Sequence, residues 1–213
     1  MPRIVAISDT HSRHNQISAL PAGDILIHAG DATNKGTLAE VVAFNQWLGT
    51  LPYQHKIFVA GNHDFLFEKS PEIARTLMTN AHYLLDEAVV IAGLKFYGSP
   101  WQPRFYDWAF NLNRGEQLRH KWSQIPDDTD VLITHGPPHG ILDGAPRGGS
   151  GIFEAVGCEE LLPAVLRRKP RAHIFGHIHA GYGQREQDGI QFINASTCNE
   201  QYHPVNPPIV FDL

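Results

Sequence analysis

Cysteine is scarce in this chain. Cys158 and Cys198 stand forty positions apart in 213 residues, and no Cys-x-x-Cys pair occurs. That count excludes a zinc ribbon and a secreted disulfide scaffold, and buried free thiols in a reducing compartment are expected. Long apolar runs are also missing. Met1-Pro2-Arg3 leads straight into Ile4-Val5-Ala6-Ile7, a stretch too short for a signal-peptide core or a membrane span. A cytoplasmic protein with no membrane partner is the expectation. Basic charge is in short supply, with 17 Lys plus Arg against 22 acids and a formal net charge of −5. Non-specific nucleic-acid affinity comes mainly from Lys and Arg that neutralise phosphates, so no general nucleic-acid surface is expected. No internal repeat and no low-complexity linker divides the chain. Its length suffices for one sizeable core, so a single domain over residues 1–213 is expected.

Histidine, by contrast, is plentiful: 13 residues, close to the number of Lys plus Arg. It is the commonest metal ligand and the side chain that titrates near neutrality. The organisation of the chain shows where these imidazoles fall. Short, β-branched apolar runs at residues 4–7, 25–28, 57–60, 89–91, 131–134 and 174–175 are expected strands. Helical spacing covers residues 37–48, 114–122 and 159–168. Ser70-Pro71-Glu72 has the N-cap, N1 and first-turn residues of another helix. Strands alternating with helices indicate an α/β protein. In the last third, residues 182–185, 191–195 and 209–211 are separated by turns alone, which suggests antiparallel strands or a second sheet. Residues 136–157 form a glycine-rich stretch with three prolines. This stretch is expected to be a loop, either functional or merely on the surface. It lacks the Lys-Ser/Thr ending of a P-loop.

The expected strands run into metal-ligand residue types. In order they give Asp9-Thr10-His11, Gly30-Asp31, Gly61-Asn62-His63-Asp64, His135, and Gly176-His177-Ile178-His179. Ligands of open α/β sheets bind outside the carboxyl ends of the strands, so five segments could converge on one crevice. Glycines before Asp31, Asn62 and His177 permit the tight turns such a rim needs. In an extended chain residues i and i+2 point to one side, so Asp9 with His11, and His177 with His179, could each aim two groups inward. Carboxylate, imidazole and amide oxygen together suit Mn²⁺, Fe or Zn²⁺ better than a thiolate-loving ion. One Asp-x-His pair says little; five such segments in order say much more.

In this order the motifs resemble the calcineurin-like metallophosphoesterase superfamily, and the resemblance spans nearly the whole chain. It implies a four-layer αββα sandwich, two mixed sheets flanked by helices, with two divalent or trivalent metal ions at the strand ends. Carried over by residue, Asp9, His11 and His179 would hold one ion. Asn62, His135 and His177 would hold the other, and Asp31 would bridge both. Gly98-Ser99-Pro100-Trp101-Gln102-Pro103, Thr134-His135-Gly136-Pro137-Pro138, Val156-Gly157-Cys158 and Asn194-Ala195-Ser196-Thr197-Cys198 resemble the metallophosphoesterase-domain-containing phosphodiesterase branch. Some animal members of that branch carry glycine where this chain has His177.

Two ions roughly 3.5–4 Å apart lower the pKa of a shared water and clamp both ends of an in-line displacement at phosphorus. Attack by the resulting bridging hydroxide on a small nucleotide-type phosphodiester is the expected reaction. His63 would protonate the leaving oxygen or stabilise developing charge, with Asp64 orienting its imidazole. Trp101 could stack on a base, although a buried or rim aromatic without that role is as ordinary, and Arg147 could meet a phosphate, although a solvated loop arginine is the better expectation. Asn34 is a candidate for the surroundings of the ligands. The same site could serve a phosphomonoesterase or protein phosphatase, but the Asp-Arg-Gly that follows Gly-Asp in those phosphatases is absent from Gly30-Asp31-Ala32-Thr33-Asn34-Lys35-Gly36. A DNA-repair nuclease would need an added recognition domain and more basic charge. A metal-binding scaffold without catalysis would not need every ligand type retained.

Overall fold

The computed structural model describes residues 1–17, 19–147 and 151–213. The N-terminal part runs β1 (Arg3–Ile7), β2 (Ile25–His28), α1 (Leu38–Thr50), β3 (His55–Phe58), α2 (Phe65–Lys69), α3 (Pro71–Leu77) and β4 (His82–Tyr83). The middle adds β5 (Glu87–Ile91), β6 (Leu94–Ser99), the short β7 (Gln102–Pro103) and β8 (Asn111–Leu112), α4 (Glu116–Ser123) and β9 (Val131–Thr134). Then come β10 (Gly144–Pro146), β11 (Phe153–Ala155), α5 (Leu161–Arg168) and β12 (Ala172–Phe175). The chain closes with β13 (Gly183–Gln187), β14 (Ile190–Asn194) and β15 (Ile209–Asp212).

Two mixed sheets result, in the orders β15-β1-β2-β3-β4 and β13-β14-β12-β9-β6-β5. Each has a parallel centre and an antiparallel edge. β1 through β4 pair in parallel while β15 runs against β1. β14, β12, β9 and β6 are parallel, with β13 and β5 antiparallel at the two edges. Parallel centres need both faces covered, and the side chains show that they are. Ile4, Ala6, Ile27, Ile57 and Val59 of the first sheet pack against Phe96, Val131, Ile133, Ile174 and Ile193 of the second. On the outer face of the first sheet, Val5, Leu26 and Phe58 meet Val41, Phe44 and Leu48 of α1 and Phe67 of α2. On the outer face of the second, Leu132, Phe175 and Phe192 meet Leu118 and Trp122 of α4 and Leu161 and Val165 of α5. Each side chain of this size, fully buried, contributes roughly 1.5–3 kcal/mol. The layers are therefore helix, sheet, sheet, helix.

Local chemistry accounts for most boundaries. Thr37 caps α1 in a reciprocal box: Glu40 N–H donates to Thr37 Oγ1 at 3.3 Å and Thr37 N–H donates to Glu40 Oε2 at 2.9 Å. Pro71 starts α3 as expected, but Ser70 makes no side-chain cap, because it also terminates α2 and lies at φ −146°. The third strand lies two residues earlier than expected, which frees Val59 and Ala60 to lead into the Gly61 turn. β6 was not expected from the sequence, since Lys95 and Gly98 interrupt its apolar pattern. The strand-only tail splits, with β13 and β14 forming a hairpin on the second sheet while β15 returns to the first. Residues 136–157 are not one loose loop. β10 and β11 pair within them, and Asp143 Oδ2 accepts from Gly140 N–H and Gly157 N–H at 2.9 Å each. Residues 148–150 of that stretch lie outside the described residues. Cys158 and Cys198 are buried and free, and Trp122 Nε1–H points at Cys158 Sγ at 3.2 Å. Among the described residues no helix is long and apolar enough to cross a membrane.

Candidate metal centre

β1, β2 and β3 end at one rim of the first sheet, and β9 and β12 at the matching rim of the second. Backbone bonds stitch the rims together. Asp9 N–H donates to Gly30 O at 2.8 Å and Gly176 N–H to His135 O at 2.8 Å, while Thr197 N–H crosses between sheets to Ser8 O at 2.8 Å. The backbone turns sharply here. Asp9, His11, Asp31 and His177 all lie at positive φ, between 43° and 68°. Asp9 and His11 therefore converge through left-handed turns rather than through the extended i, i+2 geometry expected from spacing. Left-handed non-glycine residues are costly, and such strain gathers at functional sites. Gly176 is required by close approach, since a Cβ there would sit 2.0 Å from Asp9 Oδ2. Gly30 combines φ +107° with a Cβ position 2.2 Å from His135 Nδ1.

The side chains gather into overlapping triads. Asp9, His11 and His179 form one, Asp31, His135 and His177 another, and His11, Asp31 and His63 a third; within each, the donor atoms lie within 4.8 Å of one another. Asp31 Oδ2 stands 3.4 Å from His135 Nε2 and 3.9 Å from both His11 Nε2 and His63 Nε2. His179 Nε2 is 3.5 Å from Asp9 Oδ1 and 3.2 Å from His11 Nε2. Asn62 Oδ1 lies 2.9 Å from His135 Nε2. All seven expected ligands are thus brought together.

Partners hold the outer atoms of Asp31, His135 and His179, which turns their inner atoms towards the crevice. His63 N–H donates to Asp31 Oδ1 at 2.8 Å, so Oδ2 faces the imidazoles. His177 N–H reaches both Asp9 oxygens, at 3.1 and 3.0 Å, and Ser196 Oγ lies 3.0 Å from Asp9 Oδ2. His135 Nδ1 bonds Ala29 O at 2.9 Å and His179 Nδ1 bonds Asn199 O at 2.9 Å. A carbonyl accepts only, so both rings carry the proton on Nδ1 and can offer a lone pair at Nε2. Two imidazole nitrogens 3.2 Å apart, beside two buried carboxylates, form a donor set that suits cations. The residues fit two metal ions.

Electrostatics follow from burial and from the carboxylates. Burial pushes His11 down to about 4 and His177 to about 3, keeping both imidazoles neutral. For His135 burial acts in the same direction, but the Asp31 charge outweighs it and raises the group to about 9. Asp31 stays well below its usual range despite burial, held by the charge of His135 and its hydrogen bond. Asp9 is likewise lowered: burial opposes its charge and His179 overcomes that.

Three of the expected roles are corrected. Asp64 does not face the His63 ring. Its carboxylate accepts from Thr33 N–H at 2.9 Å, Gly61 N–H at 2.7 Å, Ala32 N–H at 3.3 Å and Thr33 Oγ1–H at 2.7 Å, tying the Asp31 loop to the Asn62 loop. Burial, then the Asp31 charge, lift Asp64 to about 6 against those hydrogen bonds. His63 is instead oriented by Asn34, whose carbonyl accepts from Nδ1–H at 2.8 Å. Trp101 does not reach the crevice, because its Nε1–H donates to Asp86 Oδ2 at 2.8 Å and Lys121 Nζ covers its ring at 4.5 Å. Arg147 lies on the exposed side of the β10–β11 hairpin, with Nε 3.8 Å from Glu154 Oε2. Among the described residues of that hairpin, Ala145 and Pro146 line the crevice. The sequence reading missed Trp108, whose ring lies 4.1 Å from that of His63, and Tyr202, 4.7 Å from His11. Both sit in irregular segments without periodicity, and no sequence signal marks them. Ser196, by contrast, falls within the quoted stretch of residues 194–198.

Known proteins match this arrangement. The calcineurin-like phosphoesterase family matches residues 2–181. Human metallophosphoesterase domain-containing protein 1 is 48% identical, over 99% of this chain and 71% of its own length, and the mouse protein matches equally. One crystal structure superposes with a TM-score of 0.68 at 17% identity, covering 91% of this chain and 90% of its own. An archaeal phosphodiesterase structure gives a TM-score of 0.50 at 19% identity, covering 99% and 93%. The two structural matches show the fold alone. The family match, the relatives and the ligand-bearing strand ends agree: the chain belongs to the calcineurin-like phosphoesterases, a family of phosphoric ester hydrolases.

Proposed function

We propose that the protein is a cytoplasmic, metal-dependent phosphodiesterase acting on small nucleotide-type diesters. The observation that carries this reading is the wall of the crevice above the ligand cluster. It holds about 340 Å³ and is lined by Phe105, Trp108, Tyr202, Ala145 and Pro146 beside the ligands. Among the described residues no Lys or Arg lines it, and Glu200 does. A monoester dianion would gain from cationic side chains there. A diester carries one charge and two organic groups, and it suits apolar walls. The buried free thiols fit a reducing compartment.

Asp9, His11, His179 and Asp31 would hold one cation, and Asp31, Asn62, His135 and His177 the other. Bound there, the cations would supply positive charge to the phosphoryl oxygens and acidity to a water. The rest of the chemistry belongs to the protein. In the hydrolysis a water oxygen bonds to phosphorus and the P–O bond to the alcohol breaks. The alcohol oxygen departs with the bonding pair and takes up a proton. His63 is placed to deliver that proton from Nε2, because its Nδ1–H is spent on the Asn34 carbonyl. Trp108 packs on its ring and limits water around it. The test is to load the protein with Mn²⁺, Fe or Zn²⁺, count bound metal, and compare an aryl phosphodiester, an aryl phosphomonoester and cyclic nucleotides. Diester turnover is expected to dominate. Strong monoester turnover with no diester hydrolysis overturns the reading.

A further inference from the structure

A second concavity opens beside His63, towards the 34–36 loop that accepts its Nδ1–H. It holds about 990 Å³ and shares His63, Trp108 and Tyr202 with the metal crevice, so the two are continuous. Its walls are flat rings. Trp108 lies on His63 with 36° between the planes, and Phe65 lies 5.8 Å from Trp108 at 32°. Its charge differs from that of the crevice. Lys35 and Lys69 both line it, and Lys69 Nζ stands 4.7 Å over the Phe65 ring. Arg75, Lys95, Arg114 and Lys121 are each paired with an acid, whereas among the described residues Lys35 and Lys69 have no ion-pair partner. Asp107 is the only carboxylate on the wall among the described residues, so positive charge is in excess.

We propose that this groove receives the departing alcohol, and that it selects diesters whose leaving group carries a flat ring and an anionic group of its own. The inference rests on the phosphodiesterase reading: the alcohol leaves towards its proton donor, and the groove begins at His63. When the P–O bond breaks, the alcohol oxygen keeps the bonding pair and receives a proton through His63, while the water oxygen stays on phosphorus. The ring attached to that oxygen then lies along Trp108, and its anion lies within the field of Lys35 and Lys69. Ring stacking of this kind contributes about 0.5–1.5 kcal/mol beyond the area buried.

The test uses metal-loaded protein and two diesters that differ by one carboxylate on the departing ring, methyl 4-nitrophenyl phosphate and methyl 3-carboxy-4-nitrophenyl phosphate. Replacing both Lys35→Gln and Lys69→Gln is expected to lower the ratio of kcat/KM, carboxylated over plain, by about fivefold, as two solvent-screened ion pairs would. A ratio within about twofold of wild type overturns the proposal. A second measurement needs no turnover. The free leaving group, 5-hydroxy-2-nitrobenzoate, is titrated against tryptophan fluorescence. Saturable quenching that weakens in the lysine pair and loses amplitude in Trp108→Phe supports the groove. If it does so while neither diester is hydrolysed, the phosphodiesterase reading fails and the ring-and-anion site stands. Quenching indifferent to both sets of substitutions overturns the groove.

Discussion

From the first sheet come Asp9, His11, Asp31 and Asn62; from the second come His135, His177 and His179. Every oxygen donor thus lies on one side of the sandwich and most of the imidazoles on the other. The first half brings the negative charge that attracts a cation. The second brings imidazoles, which offer ring nitrogens and add no negative charge. Neither rim alone collects either triad that joins a carboxylate to imidazoles of the second sheet. The two halves nevertheless support their ligands alike. Thr10 Oγ1 meets the buried His28 Nε2 at 2.9 Å, and Thr134 Oγ1 meets the buried His173 Nε2 at 2.9 Å. In each case the threonine adjoins a ligand, and the histidine comes from a neighbouring strand. The difference lies in the brace. The first half uses the Asp64 carboxylate to tie two ligand loops, while the second uses backbone carbonyls and Asn194 with Ser196.

Removing charge from the oxygen-donor half should have the largest effect. Asp31→Asn is expected to drop activity beyond the roughly 10–100-fold that losing an outer partner costs. Metal content should fall with it, as measured by elemental analysis and diester turnover. Next comes His63→Ala, expected to lower kcat about 100-fold with bound metal retained, as for a lost proton donor; loss of both metals would move His63 into the ligand set. Asp64→Ala attacks the brace. It leaves three N–H groups around the Asp31 and Asn62 loops without their acceptor, and a loss of about 2–5 kcal/mol in denaturant unfolding is expected. A variant of wild-type stability would show that the loops do not depend on it.

On the imidazole side, Thr134→Val takes away the hydroxyl that meets the buried His173 Nε2 at 2.9 Å. About 1–3 kcal/mol of stability should be lost, with a smaller effect on turnover. The same ring bears on pH dependence. Burial holds His173 near 3, below its ordinary 6.5. The unfolded chain therefore binds a proton first as pH falls. His173 contributes its full stability above about 6.5 and loses it towards about 3, with a slope of about 1.4 kcal/mol per pH unit. Unfolding free energies between pH 7 and 5 should show a slope one proton shallower in His173→Asn than in wild type. Equal slopes would mean that the ring is charged in the fold.

The sequence announced the ligands because each motif is local: a strand, a turn residue, and donors within four positions. The same locality shows the alternation of strands and helices, and the capping at Thr37 and Pro71. Where a role depends on distant residues, the sequence was silent or misleading. Asp64 follows His63 in the chain, yet its oxygens turn to Thr33 and Gly61. Trp101 follows a suggestive Gly-Ser-Pro turn, yet Asp86 and Lys121 hold it away from the site. Trp108 and Tyr202 lie in segments without periodicity, so nothing in the chain announces that they will stand over the ligands.

By itself, the sequence determined the alternation of strands and helices and the motifs whose resemblance pointed to the family and to the candidate donors, because apolar periodicity and motif spacing are short-range properties. The tertiary structure alone decided which oxygen or nitrogen of each donor points inward, which backbone carbonyl fixes each imidazole, and which rings wall the crevice. Those choices are set by hydrogen bonds between residues far apart in the chain, such as His177 N–H and Ser196 Oγ to Asp9, 168 and 187 positions away. Such bonds form only when the two sheets close on each other.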